Sequence, residues 1–428
     1  MTDLQKKVVT AFAAATLLVN SALPAFAGTT LIISGNGSSS DNTADVNLNS
    51  TTTVVQSNEA DIDNDVHVNA DTGGNSADDN TGGEVDLETG DITTQVGISN
   101  AVNSNVASVE ECDCEGDVDV LISGNGTHSD NKVELDKKST TELFQNNEAD
   151  VDNDVHVYAD TGDNSADDNT GGSVTLKTGD IDVKSIEITN ALNSNSARVG
   201  GGGGGAGDLS AWIIGNGSNS DNDIDLDLDR SVTLVQSNEA DVENKVKVYA
   251  DTGDNSADDN TGGEIDVETG DIDVKVALDT WANFNWAEVD CPCLFDDILA
   301  KIAENGTDSD NDIKAELGSD LAVFQGNCAE DNVEAGSLGG KHRRGHDCGI
   351  ENDVKIDGDT GDNDTDDNTG GLDGADPSLS TGDIDADVQV DNAGNVNVYG
   401  DGFDLPEFPE FDFGFNWTFF WAWLHWTG

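Results

Sequence analysis

The amino-acid sequence predicts an all-β protein, an elongated parallel β-solenoid or β-helix built from four repeats of about 90 residues. Three observations lead to this prediction. One stretch rich in Asp, Asn and Gly, residues 71–83, returns at 160–172, at 251–263 and, more loosely, at 359–371. Between these copies apolar residues alternate with polar ones, the pattern of a half-buried strand. The repeats lack the 3.6-residue apolar period of a helix.

Further landmarks recur in every repeat. An Asn-Gly pair starts at Asn36, Asn125, Asn216 and Asn305; a Gln-x-Asn triplet starts at Gln56, Gln145, Gln236 and Gln325; a Thr-Gly-Asp triplet starts at Thr89, Thr178, Thr269 and Thr381. Within a repeat, Asn clusters lie roughly 20–25 residues apart, which suits one solenoid coil. We therefore expect about four coils per repeat, with Asn and Gly at the corners. Asn side chains would hydrogen-bond along the axis, one per coil.

The alternative architecture is four tandem antiparallel β-sandwich domains. The Asn-Gly dipeptides favour this alternative, because they are the commonest residues of tight hairpin turns. The scarcity of aromatic residues inside the repeats favours the solenoid, because a sandwich core usually contains some.

The N-terminus resembles a bacterial secretory signal. Lys6 and Lys7 precede an apolar run over residues 8–19, and a small-x-small cleavage pattern ends at Ala27. The alternative is a membrane anchor, but the apolar run is shorter than the ~20 residues that a span needs. We therefore expect a protein that is secreted, extracellular or at the cell surface. The expected domains are a signal peptide over 1–27, repeats over 28–116, 117–207 (ending in a Gly linker), 208–295 and 296–399, and an aromatic tail over 400–428.

The chain carries a net charge of −69. Nucleic acid and anionic membranes would repel such a chain, so we expect no nucleic-acid partner and instead bound cations. Carboxylates at every second position would repel each other between stacked coils unless cations neutralise them, and Ca2+ is the extracellular candidate. The candidate ligands are Asp78, Asp79, Asp167, Asp168, Asp258 and Asp259 of the repeated stretch, together with Asp221, Asp223 and Asp225. The alternative is a solvated acidic face, since neither the EF-hand nor the calcium β-roll pattern is met.

The cysteines fall where the repeat is interrupted. Cys328 and Cys348 enclose an insertion in repeat 4 and are predicted to form a disulfide across its neck. The pairs Cys112/Cys114 and Cys291/Cys293 have three explanations: disulfides within or between chains, which export would allow, a zinc site, or a redox motif.

The insertion between Cys328 and Cys348 contains the one basic cluster that follows the signal peptide, with Lys341, Arg343 and Arg344. It is predicted to dock on the acidic face of another copy, a head-to-tail contact that produces filaments. The alternatives are a solvated loop and a metal site at His342 and His346.

The C-terminal tail concentrates aromatic residues at every second position, including Trp417, Trp421 and Trp423. As a strand it would present one aromatic face. Three roles are open: a cap on the last repeat, an interfacial membrane contact, or an assembly strand that joins a partner's sheet.

These features predict a structural, adhesive or self-assembling cell-surface protein that is not an enzyme and that associates with itself or with another surface component. The alternatives are a carbohydrate-active β-helix enzyme and a cation-binding matrix protein. An enzyme would need a unique cluster of acidic and basic residues in one repeat, whereas the acids of this chain recur in all four.

Overall fold

The computed structural model describes residues 28–109, 117–200, 207–290, 295, 297–328, 348–370 and 376–400. Within these residues the regular structure is parallel β-strand, and no helix is long and apolar enough to span a membrane. The strands of each repeat are as follows. Repeat 1 contains β1 (Thr29–Ser34), β2 (Asp41–Asp71), β3 (Val85–Glu88) and β4 (Ile92–Val109); repeat 2 contains β5 (Val118–Ser123), β6 (Asp130–Asp160), β7 (Val174–Lys177) and β8 (Ile181–Gly200). Repeat 3 contains β9 (Leu209–Ile214), β10 (Asp221–Asp251), β11 (Ile265–Glu268) and β12 (Ile272–Asp290); repeat 4 contains β13 (Ile298–Ala303), β14 (Asp310–Asn327), β15 (Gly349–Asp359), β16 (Ser378–Ser380) and β17 (Ile384–Tyr399).

The predicted fold class is confirmed, because corresponding strands of the four repeats pair side by side in parallel sheets. The sheet orders in the described residues are β1-β5-β9-β13, β2-β6-β10-β14 with β15 also on β10, β3-β7-β11-β16, and β4-β8-β12-β17. These sheets run through all four repeats, so the alternative of four separate antiparallel sandwiches is excluded.

The expected number of coils per repeat is wrong: each repeat forms one coil, here called a layer and numbered 1 to 4 along the chain. Val46 pairs with Leu135, which pairs with Leu226, which pairs with Ala315. At ~4.8 Å per layer the stack is only about 15 Å from layer 1 to layer 4, whereas a 31-residue strand reaches roughly 100 Å. The protein is therefore elongated along its strands rather than along the solenoid axis.

The long strands form because apolar and polar residues alternate without interruption. In β2 the residues at even positions point inward, and Ala44, Val46 and Val54 among them are buried, while the Asp and Thr residues at odd positions are exposed. Alternation of this kind places every inward residue on one face of a pleated sheet.

Each layer is closed by packing its two longest strands against each other through their side chains. The end of β2 and the start of β4 share one apolar cluster with their counterparts in the other layers, and β1 packs on the start of β2 in a second cluster. Within β4, Asn103 has a positive φ of 60°, and the buried positions change from even to odd at this residue. The same left-handed Asn occurs at Asn193, Asn283 and Asn395.

Candidate functional site

Asparagine ladders run through the interior of the stack. Asn42 Nδ2 donates to Asn131 Oδ1 at 2.9 Å, Asn131 Nδ2 to Asn222 Oδ1 at 2.9 Å, and Asn222 Nδ2 to Asn311 Oδ1 at 3.0 Å. Further Asn columns of this kind begin in layer 1 at Asn58, Asn64, Asn75, Asn80, Asn100, Asn103 and Asn105. At Asn36 the backbone amide donates instead to Asn125 Oδ1 of the next layer at 3.0 Å. The prediction of Asn side chains hydrogen-bonded along the axis is thus confirmed, at one amide per layer.

Asparagines also bridge the two halves of a layer. Asn58 Nδ2 on β2 donates to Asn105 Oδ1 on β4 at 2.8 Å, and Asn147 repeats this contact with Asn195 at 2.9 Å. A parallel glutamine column starts at Gln56, whose Nε2 donates to the Val106 carbonyl at 3.0 Å. Buried amides with both donors and acceptors engaged hold the two facing strands at a fixed distance and register.

The repeated stretch that starts at Asp71 forms the corner between β2 and β3. Asp71 Oδ1 accepts from the Gly73 amide at 2.9 Å, and Thr72 Oγ1 donates to the Gly90 carbonyl at 2.8 Å. Gly73 lies so close to the next layer that an added Cβ would be 2.1 Å from the Gly162 carbonyl oxygen. The corner therefore requires glycine at this position, which explains its recurrence in every copy.

The first aspartate of each repeated Asp-Asp pair connects one layer to the next. Asp78 Oδ1 accepts from Ser165 Oγ at 2.7 Å and from the Asp167 amide at 2.9 Å. Asp167 accepts in the same way from the Asp258 amide at 2.7 Å. Burial raises the pKa of the Asp78 carboxyl, but hydrogen bonds from Ser165, Ser76 and the Asp167 amide together lower it below its ordinary value. These carboxylates thus have a structural role that the sequence did not reveal.

The second aspartates, Asp79, Asp168 and Asp259, adopt left-handed backbone conformations with φ of 61°, 59° and 53° and have exposed side chains. Their backbone amides donate to the layer above, as Asp79 N does to the Asp167 carbonyl at 3.1 Å. Among the described residues no group of three or more His, Cys, Asp or Glu side chains has a geometry that could hold a metal ion. Calcium binding at these positions stays a prediction.

The acidic outer face is partly neutralised by lysines in neighbouring layers. Asp221 and Asp225 lie on the outward face of β10 beside Asp223, which pairs in register with Lys132 on one side and Asp312 on the other. Burial raises the pKa of Asp223, Lys132 opposes this rise, and Asp225 adds to it. Unbroken acidic columns also run through all four layers on this face, one at Asp41, Asp130, Asp221 and Asp310 and one at Asp63, Asp152, Glu243 and Glu351.

One outer groove combines aromatic and basic residues and was not predicted. The rings of His67 and His156 stack with centroids 4.9 Å apart, and those of Tyr158 and Tyr249 stack at 5.1 Å. These residues line a groove of about 510 Å³ together with Lys247 and Lys355. A hydrogen bond to Asp251 raises the pKa of Tyr249 to about 12. The signal in the sequence was the recurrence of basic and aromatic residues at matching outward positions of successive repeats.

The predicted disulfide is present: Cys328 and Cys348 are bonded, with Cα atoms 5.6 Å apart. On either side of it, Asn327 pairs with Asn238 and Gly349 pairs with Asp241, so the strands that flank the insertion both belong to layer 4. The other predicted positions lie outside the described residues; they are Cys112, Cys114, Cys291, Cys293, Lys341, His342, Arg343, Arg344, His346, Trp417, Trp421 and Trp423.

The architecture defines a repetitive parallel β-solenoid with asparagine ladders. The chain matches no protein-family model, no curated protein sequence and no solved structure.

Proposed function

We propose that the protein is a secreted structural component of a bacterial cell surface, stabilised by cations and associating with itself or with another surface component. The observation that carries this proposal is the repetition of one chemical surface from layer to layer. The acidic column of Asp63, Asp152, Glu243 and Glu351 places a carboxylate at the same position in every layer. A surface of this kind suits periodic contacts better than a single catalytic centre.

The acidic columns make the stack dependent on its counter-ions. Two like charges ~4.8 Å apart repel by roughly 1 kcal/mol in water. Burial raises the pKa of Asp152, and Glu243 and Asp63 raise it further against the opposing effect of Lys245. A few such contacts are a sizeable fraction of the ~5–15 kcal/mol that stabilises a typical domain. Divalent cations would remove this penalty without any change of fold.

We infer that Ca2+ acts by distributed neutralisation rather than in a cage of ligands. The exposed carboxylates of Asp79, Asp168 and Asp259 recur one layer apart, and the Asp63 column offers a second row of oxygens. Sites of this open kind resemble the extracellular modules that bind Ca2+ at ~10⁻⁴–10⁻³ M. Exposed carboxylates that form no cage of fixed size discriminate little between Ca2+ and Mg2+.

The test is a thermal melt of the exported protein with increasing Ca2+, beside NaCl of matched ionic strength. Millimolar Ca2+ is expected to raise the Tm beyond the NaCl reference. Asp152→Asn should raise the Tm without Ca2+ and reduce the Ca2+ increment, because it removes one charge from the middle of the acidic column. Asp86→Asn is the matched control, because Asp86 is exposed but pairs with the uncharged Thr175. A Tm that Ca2+ raises no more than NaCl does would refute cation stabilisation.

Export has its own test. N-terminal sequencing of the protein recovered outside the bacterial cell should begin at Gly28, directly after the small-x-small pattern. Recovery of the intact N-terminus in the cytosolic fraction would contradict the proposed location.

A further inference from the structure

Layer 4 presents an apolar face that the other layers bury. Leu317 is 66% exposed and Ile384 is 48% exposed, whereas their partners in layer 3, Leu228 and Ile272, are each 1% exposed. Both exposed side chains lie at inward positions of their strands. No described residue lies beyond layer 4, so its strands also present the unpaired edge of each sheet. Such an edge is a template for a further parallel strand.

The amide ladders give the stack a direction. In the column of Asn58, Asn147 and Asn238, each Nδ2 donates to the Oδ1 of the next higher layer, and Asn238 donates to Asn327 at 3.3 Å. Layer 4 therefore directs amide donors outward, and layer 1 directs amide oxygens outward. The glutamine column runs the other way, because Gln325 Nε2 donates down to layer 3 at 2.7 Å. The two ends of the stack are thus complementary in both kinds of column.

In the sheet of β4 and β17 the outward residues of the two end layers would bring no like charges together, whereas the long strands would set Glu351 opposite Asp63, the same acidic column that the inner layers contain. Strand β4 of layer 1 contains no charged residue, whereas β17 of layer 4 carries several aspartates on its outward face. The register that relates the inner layers would place Thr93 opposite Asp385, Gln95 opposite Asp387 and Ser99 opposite Asp391. Every one of these aspartates would meet an uncharged polar residue.

We propose that layer 4 of one copy stacks on layer 1 of a second copy in the register of the inner layers. The Asn columns then continue between copies, with Asn327 donating to the second copy's Asn58. Two layer 4 faces would pair less well, because the outward amide donors of the Asn columns would meet donors. A head-to-tail contact does not close on itself and therefore produces a filament. This inference rests on the proposed function. It names a second copy of the chain as the partner and layer 4 on layer 1 as the contact.

The test introduces charges that act between copies and not within one. Gln95 and Ser99 pair within the chain with the uncharged Ser185 and Thr189. In the proposed contact, Gln95→Asp with Ser99→Asp would set two like-charge pairs ~4.8 Å apart and weaken association about 20-fold. Gln95→Lys with Ser99→Lys should strengthen association instead. Association of the full chain is measured by sedimentation velocity at several salt concentrations, and filaments by electron microscopy with a ~4.8 Å axial repeat.

A matched control places the same charge change in layer 2. Thr140→Asp with Asn146→Asp alters two outward positions whose neighbours Thr51, Ser231, Ser57 and Ser237 are uncharged. This control should associate like the parent, and all variants should keep the parent's circular dichroism spectrum.

A parent that stays monomeric, as it would if its own tail covered layer 4, overturns the proposal. Equal association of the Asp and Lys variants overturns it as well. A Ca2+-dependent Tm in such a monomer would leave the proposed function standing; assembly without a Ca2+ response would refute only cation stabilisation.

Discussion

The asparagine ladders are predicted to contribute most to the free energy of unfolding in the middle of the stack. The substitution Asn147→Ala tests this prediction. Asn147 is fully buried in layer 2. Its Nδ2 donates to Asn195 Oδ1 at 2.9 Å and to Asn238 Oδ1 at 3.0 Å. Its Oδ1 accepts from Asn58 at 3.0 Å and from Asn105 at 2.9 Å. Each of these four hydrogen bonds contributes a net ~1 kcal/mol, and in the variant the partners recover part of this by bonding to each other. Asn147→Ala should therefore lower the free energy of unfolding by about 3 kcal/mol.

The measurement is the shift in urea unfolding midpoint, converted with a common slope. Asn146→Ala is the matched control one residue away; its side chain is exposed on the outer face, so a change within ~0.5 kcal/mol is expected. Asn58→Ala in layer 1 removes donation to Asn105 and Asn147 and should cost roughly half as much as Asn147→Ala. If Asn147→Ala costs no more than Asn146→Ala, the ladders do not stabilise the fold and the reasoning fails.

Three further predictions concern the corner, the outer face and the insertion. Gly162→Ala would place a Cβ 2.0 Å from the Gly253 carbonyl oxygen, so we expect at least ~3 kcal/mol of destabilisation in the same urea assay, and a tolerated alanine would contradict the stacking of the corners. Burial raises the pKa of Asp223, and five other aspartates also have raised pKa values. Since the folded state then holds protons that the unfolded state releases above its pKa of 3.8, the free energy of unfolding should rise as the pH falls from 7 towards 4 at low salt; a Tm that falls throughout this range would refute the sign. Reduction of the Cys328–Cys348 disulfide releases its loop of about 20 residues and should destabilise layer 4 by ~3 kcal/mol, seen as a lower Tm with reductant that Cys328→Ser reproduces without reductant.

The fold class could be predicted from the sequence because two periods, the repeat and the apolar alternation, are both strong and independent of each other. The repeat of about 90 residues sets which residues stack, and the two-residue alternation sets which side chains point inward. The position of the insertion followed from the break in spacing between Gln325 and Asp359, and the disulfide across its neck is present.

The size of the coil was not predicted correctly, because asparagine was interpreted as a corner residue. Asn58 and Asn64 lie inside one continuous strand and share the even, inward parity of Val54 and Ile62. Asn in a turn and Asn in a buried ladder have the same local sequence, and only the parity of its neighbours distinguishes them. For Asp78, the hydrogen bonds from the next layer depend on a partner 87–89 residues away, which no local pattern encodes.

The ladders also explain how such long strands keep their register. A strand of 31 residues that alternated only Val, Ile and Asp could slip by two residues and still bury apolar side chains, because alternation is insensitive to even shifts. A slip of two residues in β6 would set the buried Asn153 against aliphatic neighbours in place of Asn64 and Asn244, with which it now bonds at 2.8 and 2.7 Å. Leaving a buried amide unsatisfied costs ~1–3 kcal/mol at each position. Because the ladders are spread along every long strand, each even slip breaks several of them at once. Buried amides thus specify one alignment, and the apolar residues between them supply most of the burial.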